Sequence, residues 1–447
     1  MRHFKSLATP VCAAAILATS AIPGNAASDA EVQELRRQLA LLTARLEQIE
    51  ATQAETKAEV AETKAEVKDT KERAVLSTGD SPGSFLIPGT GTTLSIGGYA
   101  KADFIYDLDE DTGDLFVPES ITTSGNDNNG FGAHARQSRL FVKTSTPTEL
   151  GALKTHFEGD FFGVGGNQVF SNSASFRIRH AYGEVGGVLA GQFWSNFMPI
   201  EIYPSTVDFN GPAGIPFVRQ AQLRYTSQIS DNLTIAGSLE NSEFTGTDGA
   251  GNLVGETTGA GALGGLSAGI DVAPDVTLAA TWRDDWGLLK VAGVGRLFSS
   301  PTSNDEEFGW GVNVSGRVNV WDGGAAVGSF TYGDGVGRYI LNGFGQDGTV
   351  DAAGNLRTTE AYGVTLGFSQ KVTDDVTASL AYGRYEVLDN RNGPSGLESV
   401  NTLHATLFWS PIERFTIGAE AIYGDRTDAN GADDDAIRLQ TSVQFNF

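Results

Sequence analysis

Residues 436–447 read AIRLQTSVQFNF. From Ile437 every second side chain is apolar or nearly so: Ile437, Leu439, Thr441, Val443, Phe445 and Phe447. Arg438, Gln440, Ser442, Gln444 and Asn446 fall between them. This is the period of a β-strand with one apolar face. An unpaired strand edge of that kind templates aggregation, so the segment needs a partner within its own fold.

The same alternation runs back through the chain. In TTLSIGGYAKADFIY (92–106), Leu94, Ile96, Gly98, Ala100, Ala102, Phe104 and Tyr106 share one face, and Tyr99, Lys101 and Asp103 the other. GWGVNVSGRVNV (309–320) and FTIGAEAIYG (415–424) repeat the pattern. The apolar faces carry Val, Ile, Leu, Ala and Gly in mid-strand, with aromatics near the strand ends. That is the outer surface of a transmembrane barrel between two aromatic girdles. A soluble solenoid or sandwich also alternates, so period alone does not decide. Pairing the last strand with the first, Thr93 to Tyr106, closes the cylinder and leaves no edge.

The other end of the chain agrees. MRHFKSLATPVCAAAILATSAIPGNAASDA (1–30) has basic Arg2 and Lys5, an apolar stretch from Val11 to Leu17, and small residues at Gly24 and Ala26. It reads as a secretory signal peptide over 1–26, too short in its apolar part to span a bilayer. Its removal takes away Cys12, the single cysteine, and leaves no thiol for a disulfide framework. No later stretch has the ~20 apolar residues of a membrane helix, so a membrane-embedded chain has to be a barrel. The formal charge of −24 excludes a general nucleic-acid binder.

Residues 27–78 form a second region, free of Gly and Pro from 29 onward. Heptad position a reads Val32, Leu39, Leu46, Gln53, Val60, Val67, Ala74; position d reads Leu35, Leu42, Ile49, Thr56, Thr63, Thr70, Ser77. The spacing predicts a left-handed, parallel coiled coil, on the periplasmic side. GDSPGSFLIPGTGTT (79–93) then marks a linker over 79–92 before a barrel over 93–447.

Short turns at 145–151, 185–187, 228–232, 284–286, 321–324, 372–375 and 410–414 alternate with eight long polar segments. Together they predict about 16 antiparallel strands, a size that leaves a water-filled lumen. A weakly strand-like run at 261–272 is placed in the fourth loop.

Alternation turns Lys101, Arg139, Lys143, Lys154, His156, Arg177, Arg179 and Arg224 into the lumen, and later Lys290, Arg296, Arg317, Lys371 and Arg438. Inward acids are fewer: Asp103, Glu158, Asp160, Glu240 and Glu420. A basic ladder of this kind lowers the barrier for anions. The alternative is that each cation is neutralised by Asp103, Glu158 or Asp160 and braces the wall. NFMPIEIYPSTVDFNGPAGIP (196–216) is too apolar to stand in water. It is expected to fold inward as a constriction or to pack on a neighbouring subunit, with Tyr203, Asp208 and Phe209 facing the solute.

YAKADFIYDL (99–108), HARQSRLFVKTSTPTELGALKTHFEGDFFG (134–163), FRIRHAYGEVGGVLAGQFWSNF (176–197) and GWGVNVSGRVNV with FTYGDGVGRY resemble the DcaP-like family of outer-membrane porins. The resemblance implies a trimer of 16-stranded barrels with a periplasmic coiled coil, and passive uptake of small anions, dicarboxylates among them. By position it implies that Lys101, Arg139, Arg177 and Arg179 carry the anion preference. The closing strand ending at Phe447 resembles the signature read by barrel-assembly machinery.

Rival functions are less well supported. His134, His156, His180 and His404 fit no nucleophile elbow or metal-ligand spacing, so no catalytic residue, metal or cofactor is expected. GDGVG (333–337) follows no strand-to-helix step. A trimeric adhesin would carry a short barrel segment, whereas here the barrel takes most of the chain. A general porin whose coil tethers the outer membrane to the cell wall is the alternative reading.

Overall fold

The computed structural model describes residues 29–72, 77–78, 83–125, 128–248, 253–254, 271–300 and 303–447. The signal peptide expected over 1–26, the start of the linker and most of the run 261–272 lie outside the described residues. Two units are present, divided between Val75 and Leu76.

The first unit is one helix, α1 (Asp29–Glu72). Its Ala, Glu, Lys and Gln have high helix propensity, and no Gly or Pro interrupts them. On the single chain, Leu39, Leu42, Leu46, Ile49 and Val60 are 47–67% exposed. The structure thus shows the helix of the expected heptad segment and leaves its apolar row uncovered.

In the second unit, sixteen spanning strands follow in order among the described residues. They are β1 (Thr93–Asp107), β2 (Gly130–His134 continued by Arg139–Thr148), β3 (Gly151–Gly163), β4 (Ser175–Val185), β5 (Val188–Trp194) and β6 (Arg219–Gln228). Then come β7 (Leu233–Glu240), β8 (Asp275–Asp284), β9 (Gly287–Ser299), β10 (Glu306–Trp321) and β11 (Gly324–Asp334). The last five are β12 (Glu360–Lys371), β13 (Val376–Val387), β14 (Leu397–Ile412), β15 (Phe415–Asp428) and β16 (Asp433–Asn446). Each pairs antiparallel with the next, and β16 pairs with β1 from Arg438↔Asp107 to Asn446↔Tyr99. Phe447 continues the ladder by exchanging backbone hydrogen bonds with Gly98 at 3.1 and 3.3 Å. The terminal Phe is therefore the last rung of the closing seam. Part of the expected linker joins the sheet as well, since Ser84–Leu86 pairs with β1.

The short turns fall where the sequence places them. Between β4 and β5 the turn is Gly186-Gly187, both at positive φ (58° and 84°), a conformation that suits the twist of a two-residue hairpin. Outward aromatics such as Trp286, Trp321, Trp409 and Phe445 ring the turn end, and Tyr106, Phe131, Phe308 and Tyr423 the loop end.

The third loop, residues 195–218, crosses the lumen. Its backbone is held by inward side chains all round the wall. Val207 O accepts from Lys101 Nζ on β1 at 2.8 Å, and Met198 O accepts from Lys290 Nζ on β9 at 2.8 Å. Ala213 O accepts from Thr365 Oγ1 on β12, and Ala213 N donates to Thr402 Oγ1 on β14, each at 2.9 Å. Asp208 N donates to Glu420 Oε2 on β15 at 3.2 Å. The loop lies so close to β12 and β13 that a Cβ on Gly363 or Gly383 would overlap the Gly214 or Ala213 carbonyl.

Two further loops share the lumen, which the sequence did not signal. Residues 337–341 run beside the third loop, with Leu341 N donating to Ile215 O at 2.9 Å and Phe217 N to Tyr339 O at 3.0 Å. Arg296 of β9, fully buried, joins Asp275 and Asp347 at 3.1 and 2.8 Å and anchors this sixth loop to the wall. In the first loop, Phe116 and Ile121 pack on Ile422 and Ala436. Apolar loop surface thus packs much of the β8–β16 side of the lumen, leaving a polar path along β1–β5 and the turn ends of β14–β16.

Candidate functional site

That path opens into a cavity of about 540 Å3 between the third loop and the wall. Lys101, Arg139, His156, Glu158 and Arg179 line it from β1 to β4, with Trp194 and Gln444 beside them. Met198, Tyr203, Asp208 and Phe209 line it from the loop. Of the inward cations read from alternation, Lys101, Arg139, His156 and Arg179 share this one space, while Lys143 and Lys154 line a different cavity and Arg296 and Arg438 are buried against carboxylates. Arg177 sits above, its Nε and Nη2 donating to Asp160 at 3.0 and 2.8 Å. Arg224 lines a separate cavity beyond the loop.

The electrostatics are those of a shared, incomplete neutralisation. Arg179 donates to Glu158 at 2.8 Å and to Asp160 at 3.0 Å and is almost fully buried. Arg139 reaches Glu158 only at 3.5 Å, and its Nε is buried without a hydrogen-bond partner. Two carboxylates thus serve three guanidinium groups. A fourth, Arg219, has a buried Nη1 with no partner and lies over the rings of Trp194 and Phe217 at 4.6 and 5.7 Å. Lys101 pairs with Asp103 at 3.0 Å. The bracing expected as the alternative to the ladder is real for Lys101, Arg177 and Arg179, and a surplus of cationic N–H groups remains.

The three loop residues behave differently. Phe209 lies between Arg177 and Arg179, 5.5 and 5.3 Å from their guanidinium carbons, and is stabilised by both cations on its face. Tyr203 presents a hydroxyl with no hydrogen bond. Asp208 borders the cavity, but its oxygens are taken by loop backbone: Oδ1 accepts Phe116 N at 3.0 Å and Oδ2 accepts Asn210 N at 2.9 Å. It ties the first loop to the third while lining the cavity. Burial and the nearby Glu420 charge push its carboxyl above the usual range.

Sequence reasoning missed His180 and Arg219. Both follow breaks in alternation. The β3–β4 register shifts at Glu158/Gly159, so Glu158 faces His180 while Gly159 faces Ile178. This bulge leaves Arg179 without a rung and turns it and its neighbour His180 inward together. Arg219 is the first residue of β6, where strict alternation with Gln220 and Gln222 would send it out. The packing of Trp194 and Phe217 at the loop junction brings it in.

A closed antiparallel barrel of this size, aromatic at both rims and polar inside, is an outer-membrane channel. The chain belongs to the porin subfamily, whose sequence profile matches residues 81–445. Porin Omp2b of Brucella suis biovar 1 is 28% identical over 346 residues, covering 74% of this chain and 86% of that protein. Omp2b of Brucella canis is 27% identical over the same length. In fold, the chain is similar to the outer membrane channel DcaP of Acinetobacter baumannii, with a TM-score of 0.69 and 22% identity over 80% of this chain and 98% of that one. An anion-selective porin from Comamonas acidovorans has a TM-score of 0.50 at 11% identity, covering 80% of this chain and all of that one. These matches place the protein among porins of the bacterial outer membrane.

Proposed function

We propose that the protein is a passive diffusion channel for small anionic solutes, dicarboxylates among them. The observation that carries this reading is the surplus of guanidinium over carboxylate at and beside the cavity: Arg139, Arg177 and Arg179 share Glu158 and Asp160, and Arg219 pairs with no carboxylate among the described residues. A carboxylate solute supplies the missing acceptor, and the planar fork of Arg binds its two oxygens together. Pore-lining roles go to Lys101, Arg139, His156, Arg177, Arg179 and Arg224, with the third loop as constriction. The uncovered apolar row of α1 supports assembly as a homotrimer through a periplasmic coil.

The reading is tested by the reversal potential across a planar bilayer in a KCl gradient. Anion selectivity is expected, and Arg139→Ala with Arg219→Ala should abolish most of it. Cation selectivity in the wild type would overturn the proposal.

A further inference from the structure

A second cavity of about 260 Å3 lies at the short-turn end of β6–β9. Arg224, Arg283 and Lys290 give its lining three cations, and Glu201 its one carboxylate. Met198 and Ile200 line both cavities, so this part of the third loop stands between them. We propose that the second cavity is a further station for a solute carboxylate, with Glu201 as a competitor built into the loop. The inference rests on the anion-channel reading and adds to it a second binding site and a residue that tunes it.

Bracing the loop does not exhaust these cations. Lys290 Nζ donates to Met198 O at 2.8 Å, which leaves two ammonium protons. Arg224 uses Nε on Gln222 Oε1 at 2.8 Å and Nη2 on Trp194 O, and Nη1 has no partner among the described residues. Arg283 meets Glu201 through a single nitrogen: Nη2 donates to both carboxylate oxygens at 2.8 Å. Both two-pronged faces of a guanidinium include Nη2, so they open to a solute carboxylate once Glu201 swings away. Both side chains of that pair are about half exposed (48% and 51%), and an ion pair so open to water is weak. An incoming carboxylate can therefore take the place of Glu201 without breaking a buried contact. The third loop need not move as a whole, because Glu201 sits on its own short helical turn, Ile200–Ile202.

The test uses the full-length protein in a planar bilayer, with succinate added on the short-turn side and its block of chloride current titrated. Lys290→Gln with Arg283→Gln should raise the half-blocking concentration about tenfold, the scale of one lost charge-assisted hydrogen bond. Glu201→Gln removes the competitor and should lower that concentration several-fold, an effect that damage to the fold would not produce. Unchanged block in the double variant, or weaker block in Glu201→Gln, overturns the second station and leaves the main reading standing if the wild type selects anions. A cation-selective wild type overturns both.

Discussion

Single residues in this lumen do either structural or solute-facing work, and hydrogen-bond accounting separates the two. Asp208 looked like a ligand residue in the sequence, yet its oxygens serve backbone N–H groups of two loops. Arg219 looked like an outward residue, yet it keeps a buried N–H free. The state of Asp208 also makes a pH prediction. Burial and the Glu420 charge raise its carboxyl, so the folded protein holds that proton to higher pH than the unfolded chain. The stabilisation is complete below about pH 4 and is lost as pH rises through the folded value. Asp208→Asn cannot titrate. The advantage of wild type over Asp208→Asn in thermal unfolding in detergent should therefore shrink as pH rises above about 4, the unfolded carboxyl's range. A pH-independent difference would mean that Asp208 is not perturbed.

Among the elements, the third loop is decisive, and its position depends on glycines in the wall opposite. Gly363 and Gly383 let the Ala213-Gly214 backbone lie directly on β12 and β13. Gly214 itself adopts φ of 76° with a β13 carbonyl where a side chain would be. Gly383→Ala should cost about 1–3 kcal/mol through overpacking and push the loop toward the cavity. Single-channel conductance should fall while the barrel still folds, as read by heat-modifiable migration on a denaturing gel. Unaltered conductance would show that the loop does not rest on β13. The alternation of Gly363 and Gly383 with outward residues was legible in the sequence, but not why glycine was needed there. That reason lies in a loop about 150 residues earlier in the chain.

For the whole molecule, the two units pose separate questions of association. The α1 row of Leu39, Leu42, Leu46 and Ile49 is exposed on one chain, and burying each leucine is worth roughly 1.5–3 kcal/mol. Leu42→Lys with Leu46→Lys should therefore weaken the proposed homotrimer, seen as a lower sedimentation mass in detergent. A trimer unchanged in mass and dissociation would place all its stability in the barrel walls.

Sequence alone determined the closed barrel, its sixteen strands, its turns and the inward row of cations. All of these follow from local rules: a period of two, Gly and Asp at turns, and parity between loops and turns. Only the tertiary structure decided how much of that charge stays free and where open space remains beside the third loop. The pairing of Arg179 with two carboxylates, the bulge that turns His180 inward and the burial of Asp208 depend on cross-strand register. So does the packing of the first, third and sixth loops on the β8–β16 side. These are contacts between residues tens to hundreds of positions apart, set by packing within a closed volume, and no period in a single sequence encodes them.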